Sequence, residues 1–340
     1  MKKARLHARR FALLSCSILA TSLVAQVPQP DGGGLQPGTL PPTWATGGPR
    51  CMEMPEWQVH EYNPEFFILR QSGCTDFEKP FVYLIFGKTR ALVFDTGSRN
   101  GNLAPTLQRV MHLWLRRNHL ETMPLVVVHS HSHSDHTAGD AGLQALADPA
   151  IPVTFVAATV EATKALYKIG NWPEEIGSID LGTRVLDAIP IPGHDTVSVA
   201  LYDRRTGVLL TGDSVYPGRL YIRDLDAFTR SNQRLVTFTQ GKLVSHILGC
   251  HIEETRTPFL DYPVGTIYQP DEHQLSLSRG VLLEMQSALD AMHGTPQRLA
   301  YPDFSLWPSG PAFRQADKSE DTFKKTQQYQ LSHMWDQTQP

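Results

Sequence analysis

The sequence predicts a layered α/β fold (α+β in its opening part), with sheet inside and helices outside. Two observations carry that reading: an opening run of short segments rich in Val, Ile, Phe and Tyr, and a strand–helix alternation after it. The 340 residues, 41% hydrophobic and 19% charged, suffice for one large core and have the composition of a soluble globular protein.

Residues 1–25 are expected to be a signal peptide outside the fold. Lys2, Lys3, Arg5, Arg9 and Arg10 precede the apolar stretch Phe11–Ala25, which is too short to span a bilayer but suits the h-region of a secretory signal. Cleavage is expected after Ser22 or Ala25; a lipoprotein signal at Cys16 is a weaker fit, with too few apolar residues before it. The expected location is therefore periplasmic or secreted, with no stable membrane span after cleavage. Loss of five basic and no acidic residues leaves 26 Lys and Arg against 34 Asp and Glu, a net charge of −8. Such a balance argues against a nucleic-acid partner.

Residues 26–50 contain six prolines and six glycines and are expected as a linker. The folded domain is expected over 51–308, with a polar tail over 309–340. Cys51 and Cys74 can close a disulfide in an oxidising compartment; two separately buried thiols are the alternative. Strands are expected at 58–63, 66–70, 81–86 and 90–94. The apolar positions Leu107, Val110, Met111, Leu113 and Leu115 then predict a helix over 105–118. Further helices are expected near 139–147 and over 160–167, 224–240 (over the site) and 278–293, with strands at 153–157, 184–189, 208–210 and 243–249.

The chemistry concentrates in 125–140, LVVVHSHSHSDHTAGD. A buried strand, Leu125–Val128, runs into a loop carrying His131, His133, Asp135 and His136. In extended backbone, residues two apart project to one side, so His131, His133 and Asp135 can converge while a turn brings in His136. Imidazoles with a carboxylate suit zinc or a similar transition metal better than calcium or magnesium. Packing four such groups together unpaired would cost several kcal/mol of desolvation. Three more candidates sit at strand ends: His194 in Pro192-Gly193-His194, Asp213 in Thr211-Gly212-Asp213, and His251 after Gly249-Cys250.

With these residues in that order, the chain resembles the metallo-β-lactamase fold superfamily. Its pattern of a His-x-His-x-Asp-His loop, a Gly-His turn, a Gly-Asp strand end and a late histidine matches His131 to His136, Gly193-His194, Gly212-Asp213 and His251, over roughly residues 58–255. The resemblance implies a four-layer αββα sandwich with the metal site at the edge between two mixed sheets. It also implies two divalent ions, zinc expected and manganese or iron the alternatives. His131, His133 and His194 would hold the first, Asp135, His136 and His251 the second, and Asp213 both, with Asp95 buttressing the metal loop. A metal-bridging hydroxide would then hydrolyse a small-molecule substrate.

The histidine at 133 argues against the di-iron oxygen-reducing branch, which has glutamate there. Asp213 weakens the β-lactamase alternative, where cysteine or serine is usual. The full ligand set resembles that of glyoxalase II-like thioesterases, lactonases and ribonuclease Z-like phosphodiesterases, and the acidic charge disfavours the last. The expectation is cleavage of a small ester, lactone or thioester. A non-catalytic metal-binding protein is the reading from another class, but such proteins usually lack ligands and none is missing here. Asp135 and Tyr216 are the catalytic candidates, Tyr216 because it resembles the carbonyl-polarising tyrosine of lactonases. Arg219, Tyr221 and Arg223 are candidates for contacting an anionic substrate. Cys250 should point away from the metals, and His129 should be packed or hydrogen-bonded.

Overall fold

A computed structural model describes residues 34–48 and 51–309. The expected signal segment, and the expected tail beyond Ser309, lie outside the described residues.

The first half of the chain builds one sheet in sequence order. Strands β1 (Trp57–Asn63), β2 (Phe66–Gln71), β3 (Phe81–Phe86) and β4 (Ala91–Phe94) run antiparallel, and β5 (Leu125–Val128) and β6 (Val153–Phe155) continue it in parallel. The helices α1 (Leu103–Arg117), α2 (Ser134–Thr137), α3 (Asp140–Gln144) and α4 (Val160–Tyr167) lie within and after this run. The parallel pairing explains α1, since β4 and β5 need a crossover. Pro105 is tolerated there because it falls in the first turn, where no amide has a helical partner.

The second half builds another mixed sheet, from β7 (Gly177–Asp180), β8 (Val185–Pro190), β9 (Val199–Asp203) and β10 (Val208–Leu210). After β11 (Arg219–Ile222) and α5 (Leu225–Thr239) it adds β12 (His246–Leu248) and β13 (Ser276–Leu277), in the order β13-β12-β10-β9-β8-β7. Helix α6 (Gly280–Ala291) and strands β14 (Leu299–Ala300) and β15 (Ser305–Pro308) follow, and β11, β15 and β14 form a small third sheet.

The side-chain period of two assigns the layers. Ile68, Tyr83, Leu92, Val126 and Val128 face Leu186, Val199, Leu201 and Leu210 of the second sheet in one core cluster. Their neighbours Leu69, Leu84, Val93, Leu125 and Val127 face Leu107, Val110, Met111 and Trp114 of α1. On the far side, Ala200, Leu209 and Ile247 pack on Phe228 and Leu235 of α5 and on Leu282 and Met285 of α6. Helix, sheet, sheet, helix is the expected αββα sandwich. Because β3 and β5 are buried on both faces, they read as unbroken apolar runs, as does β2 over Phe66–Leu69 before Arg70.

Two expectations need correction. The described part of the 26–50 linker lies on the domain: Trp44 is buried edge-to-face against Phe81, and the amides of Gln36 and Thr39 donate to the carbonyls of Arg205 and Tyr62 at 2.9 and 3.0 Å. Proline and glycine prevented regular structure there but not burial of an aromatic anchor. Helix α5 lies in the outer layer with α6, not over the site, because its apolar stripe faces the second sheet. The third sheet was not anticipated as a sheet. Cys51 and Cys74 form a disulfide, with Cα atoms 5.3 Å apart, so the two-thiol alternative is excluded. Among the described residues, no helix is long and apolar enough to cross a membrane.

Candidate metal centre

Eight side chains converge where strands from the two sheets end. Asp95 follows β4, the histidine loop follows β5, His194 follows β8, Asp213 follows β10 and His251 follows β12. Two glycines are required by close approach. A Cβ at Gly193, which has φ +141°, would lie 2.5 Å from the Phe228 backbone, and one at Gly212, with φ +53°, would lie 2.7 Å from Ser130 Cβ.

The histidine loop does not continue in extended form. At His133 it enters the single turn α2, closed by the Ala138 amide on the Ser134 carbonyl. That change of backbone splits the motif. His131 and His133 join His194, while Asp135 and His136 join Asp213 and His251; in each group the ligand atoms lie within 4.8 Å of one another. Asp213 stands between the groups. Its Oδ2 lies 3.9 Å from His131 Nε2 and 3.6 Å from His194 Nε2; its Oδ1 lies 3.3 Å from both His136 Nε2 and His251 Nε2. Asp135 Oδ2 completes the second group, 3.0 and 3.4 Å from the same two nitrogens.

The outward ring nitrogens decide whether a cation fits. His194 Nδ1 donates to the Tyr221 carbonyl (2.8 Å), His251 Nδ1 to the Glu78 carbonyl (2.9 Å) and His136 Nδ1 to Asp95 Oδ2 (3.0 Å). Ser130 Oγ spends its own proton on Asp95 Oδ2 at 2.8 Å, so it accepts from His131 Nδ1 at 2.9 Å. A neutral imidazole has one proton, and in these four rings it is committed outward. In the neutral form that a metal ligand needs, four Nε2 lone pairs therefore face inward toward each other and toward the carboxylates of Asp135 and Asp213. Lone pairs and carboxylates gathered in this way fit divalent cations and repel one another without them.

Asp95 holds this frame from behind, as expected of a buttress. Fully buried and at φ +72°, it also accepts from the Ser130 amide at 2.6 Å. A non-glycine residue in that region costs energy and is kept where surrounding contacts demand it.

The Metallo-beta-lactamase superfamily model matches residues 75–285. The chain belongs to the metallo-beta-lactamase superfamily. It is 25% identical over 230 residues to acyl-coenzyme A thioesterase MBLAC2 of Gallus gallus, covering 58% of this chain and 81% of that protein. It is 24% identical over 225 residues to hydroxyacylglutathione hydrolase of Albidiferax ferrireducens, covering 62% and 81%. Among solved structures, a metallo-beta-lactamase from Pontibacter korlensis aligns over 69% of this chain and 99% of its own at 16% identity and a TM-score of 0.44. The chain is accordingly a metal-dependent hydrolase of this superfamily, with His and Asp groups built for divalent metal ions.

Electrostatics differ between the two groups. Burial, reinforced by neighbouring histidines, holds His131 well below its usual range and His133 down at about 4, and burial lowers His194 as well. These rings stay neutral at pH 7, the form a metal ligand needs. Burial would also lower His136 and His251, but Asp135 and Asp213 outweigh it and hold both well above the usual value. Carboxylates that would retain a proton there would equally retain a cation.

Several expected contacts lie elsewhere. Tyr216 is buried with its ring against His251, but its hydroxyl donates to the Arg219 carbonyl and, at 3.3 Å, to Glu253, because the chain reverses through Pro217-Gly218. Its hydroxyl is therefore committed to these two acceptors rather than turned toward the metal ligands. Arg219 is also buried, pairing with Glu253 at 3.0 Å and donating to Asp261 and the Tyr262 carbonyl. Tyr221 contributes its main-chain carbonyl to His194, while its hydroxyl accepts from Arg219 at 3.4 Å. Arg223 alone of this group is exposed, its amide fixed 2.9 Å from the Gly193 carbonyl. Cys250 does not simply turn away: its buried thiol donates to Asp95 Oδ2 at 3.2 Å. His129 Nε2 bonds Asp140 at 2.9 Å, as a hydrogen-bonded histidine should.

Just past His251, Glu254 is 2% exposed with Oε2 unpartnered, and burial followed by Asp261 pushes its carboxyl up to about 7 from an ordinary 4.5. A folded-state value above the unfolded one means stability is fully present below about pH 4.5 and lost as pH rises through 7. Glu254→Gln removes that loss. Urea unfolding at pH 5 and pH 8 should show the variant gaining about 2 kcal/mol on the wild type between the two. Parallel stability changes in both proteins would contradict it.

Proposed function

We propose that the protein is an exported zinc hydrolase that cleaves small acyl thioesters. The observation that carries the reading is Asp213, whose two oxygens face two separate ligand groups. This arrangement suits a pair of cations, and a cysteine in its place would offer one thiolate sulfur instead of two oxygens. The two relatives above are named for acyl groups carried on coenzyme A and on glutathione, which favours a thioester over an ester or lactone. The bond of the Tyr216 hydroxyl to the Arg219 carbonyl weighs against the lactone reading.

When bound, paired zinc ions lower the pKa of a water and polarise the acyl carbonyl. The chain itself supplies the frame and the entrance. Most ligands are buried, but the side chains of His133 and Asp135 are 21% and 20% exposed, so substrate reaches the centre there. Arg223 stands on that side, close enough for its charge to lower His133 further, and has no side-chain partner among the described residues. It is suited to an anionic group on the thiol carrier. Export is supported by the basic-then-apolar start of the chain and by the Cys51–Cys74 disulfide.

The test is a panel of acyl-coenzyme A, acylglutathione, lactone, ester and phosphodiester substrates, with nitrocefin as the β-lactam, run on zinc-loaded and chelator-treated protein. Zinc-dependent turnover of thioesters is expected to exceed all others; faster turnover of nitrocefin would sink the thioester reading. Arg223→Ala should lower kcat/KM for anionic thioesters about 10-fold, mainly through KM, as expected for one charged hydrogen bond. N-terminal sequencing of protein from the periplasmic fraction checks export: a chain still beginning at Met1 would contradict it.

A further inference from the structure

His133 departs from the other four histidines of the centre. It turns Nδ1 inward, 2.9 Å from His131 Nε2 and 3.0 Å from His194 Nε2, so its proton belongs on Nε2. That nitrogen is buried without a hydrogen-bond partner. Oδ2 of Asp195 lies 3.6 Å away, just beyond hydrogen-bond distance.

Asp195 is held as an acceptor and is not free to swing. Ser132 Oγ donates to Oδ2 at 2.6 Å, while the Val197 amide and Thr196 Oγ1 donate to Oδ1 at 2.8 and 3.3 Å. Its own amide donates to Ser198 Oγ at 3.2 Å, closing the turn, and the side chain is only 8% exposed. A carboxylate offers about four acceptor positions, so these three donors leave room for one more. The orphaned Nε2 of His133 is the near neighbour of that place, 3.6 Å from Oδ2.

We propose that Asp195 is the carboxylate partner of His133: a positioning residue that fixes the Nε2–H tautomer, makes Nδ1 a better donor and thereby sets the cation affinity of the three-histidine group. The arrangement is economical in backbone. One turn presents His194 as a ligand and, with the next residue, orients a ligand from the opposite sheet's loop. Ser132, beside His133, grips the same carboxylate from the other side, so Ser132 and Asp195 lock the β5 and β8 loops in one register. The proposal rests on the metal centre and not on which bond the enzyme cleaves.

The test measures zinc, not turnover. Asp135→Ala weakens the second group and leaves the three-histidine group as the tight site, so zinc binding in buffers of graded free zinc then reports on that group. In this background Asp195→Ala should weaken zinc about 10- to 100-fold, the usual effect of losing an outer partner of a ligating histidine. Asp195→Asn keeps an acceptor oxygen without the charge and should recover part of that loss. Cobalt substitution gives an independent readout, with the visible bands of the three-histidine site shifting in Asp195→Ala. Unchanged zinc affinity in Asp195→Ala would overturn the proposal. So would equal weakening by alanine and asparagine together with a lowered melting temperature of the metal-free protein, since that pattern marks a merely structural turn.

Discussion

Asp213→Ala is expected to lower kcat/KM by at least about 10³-fold and to reduce bound zinc from two equivalents toward one. The size follows from two costs that coincide. A catalytic metal contributes several kcal/mol of charge stabilisation, and each 1.36 kcal/mol is tenfold in rate. Asp213 is also the group between the two clusters, its Oδ1 facing His136 and His251 and its Oδ2 facing His131 and His194. Removing it leaves the three-histidine group intact but uncharged, and leaves Asp135 as the sole carboxylate of the other. Burial would raise the Asp213 carboxyl, yet His251 and His136 hold it well below the ordinary range, so it is ionised at neutral pH. Asp213→Asn keeps the shape and loses the charge; it should resemble alanine in zinc content. If Asn restored both zinc equivalents and activity, charge at this position would not be what holds the pair. Elemental analysis beside steady-state kinetics separates the two costs.

What the sequence revealed follows from the range over which each interaction acts. The doubly buried strands β3 and β5, and β2 over Phe66–Leu69, announce themselves because both faces are apolar, and α1 because its buried stripe repeats every three or four residues. The ligands were legible because each stands at the end of an apolar strand behind a glycine or within one short loop. The small third sheet was not, since β11 pairs with a strand more than eighty residues later and its alternating Arg219 and Tyr221 look like a solvated face. Nor could the hydroxyl of Tyr216 be followed, because its partner is a main-chain carbonyl brought near by Pro217-Gly218. The acceptors that orient His194 and His251, the carbonyls of Tyr221 and Glu78, leave no trace in residue identity at all. Ser132 and Asp195 were visible as letters beside two ligands, but only the folded loops bring them into contact.

Glu272→Ala is expected to destabilise the metal-free protein by about 3–5 kcal/mol, the cost of leaving a buried charge without its partner. Arg70 on β2 is fully buried; it makes a two-pronged pair with Glu272, one contact at 2.6 Å, and lies over the Phe81 ring at 4.8 Å. Lys79 is beside it, 3% exposed, with Nζ donating to the carbonyls of Phe77 and Thr266, and burial with Arg70 lowers its ammonium to about 7. Glu272 is thus the carboxylate paired with the buried Arg70 guanidinium, and it acts with Glu78 and Glu253 to offset the lowering of Lys79. The consequence reaches the metal centre. Glu272 fastens the segment that follows His251, pairing with Thr255, while Lys79 follows Glu78, whose carbonyl orients His251. Glu272→Ala should therefore weaken zinc at the Asp135, His136 and His251 group more than at the three-histidine group. Adding Arg70→Met removes the uncompensated guanidinium and should recover at least half of the lost stability, since replacing both members of a buried pair is far milder than removing one. Urea unfolding of the two single variants and the double variant measures the coupling directly, and a double variant as unstable as the sum of the singles would show that the pair contributes only packing.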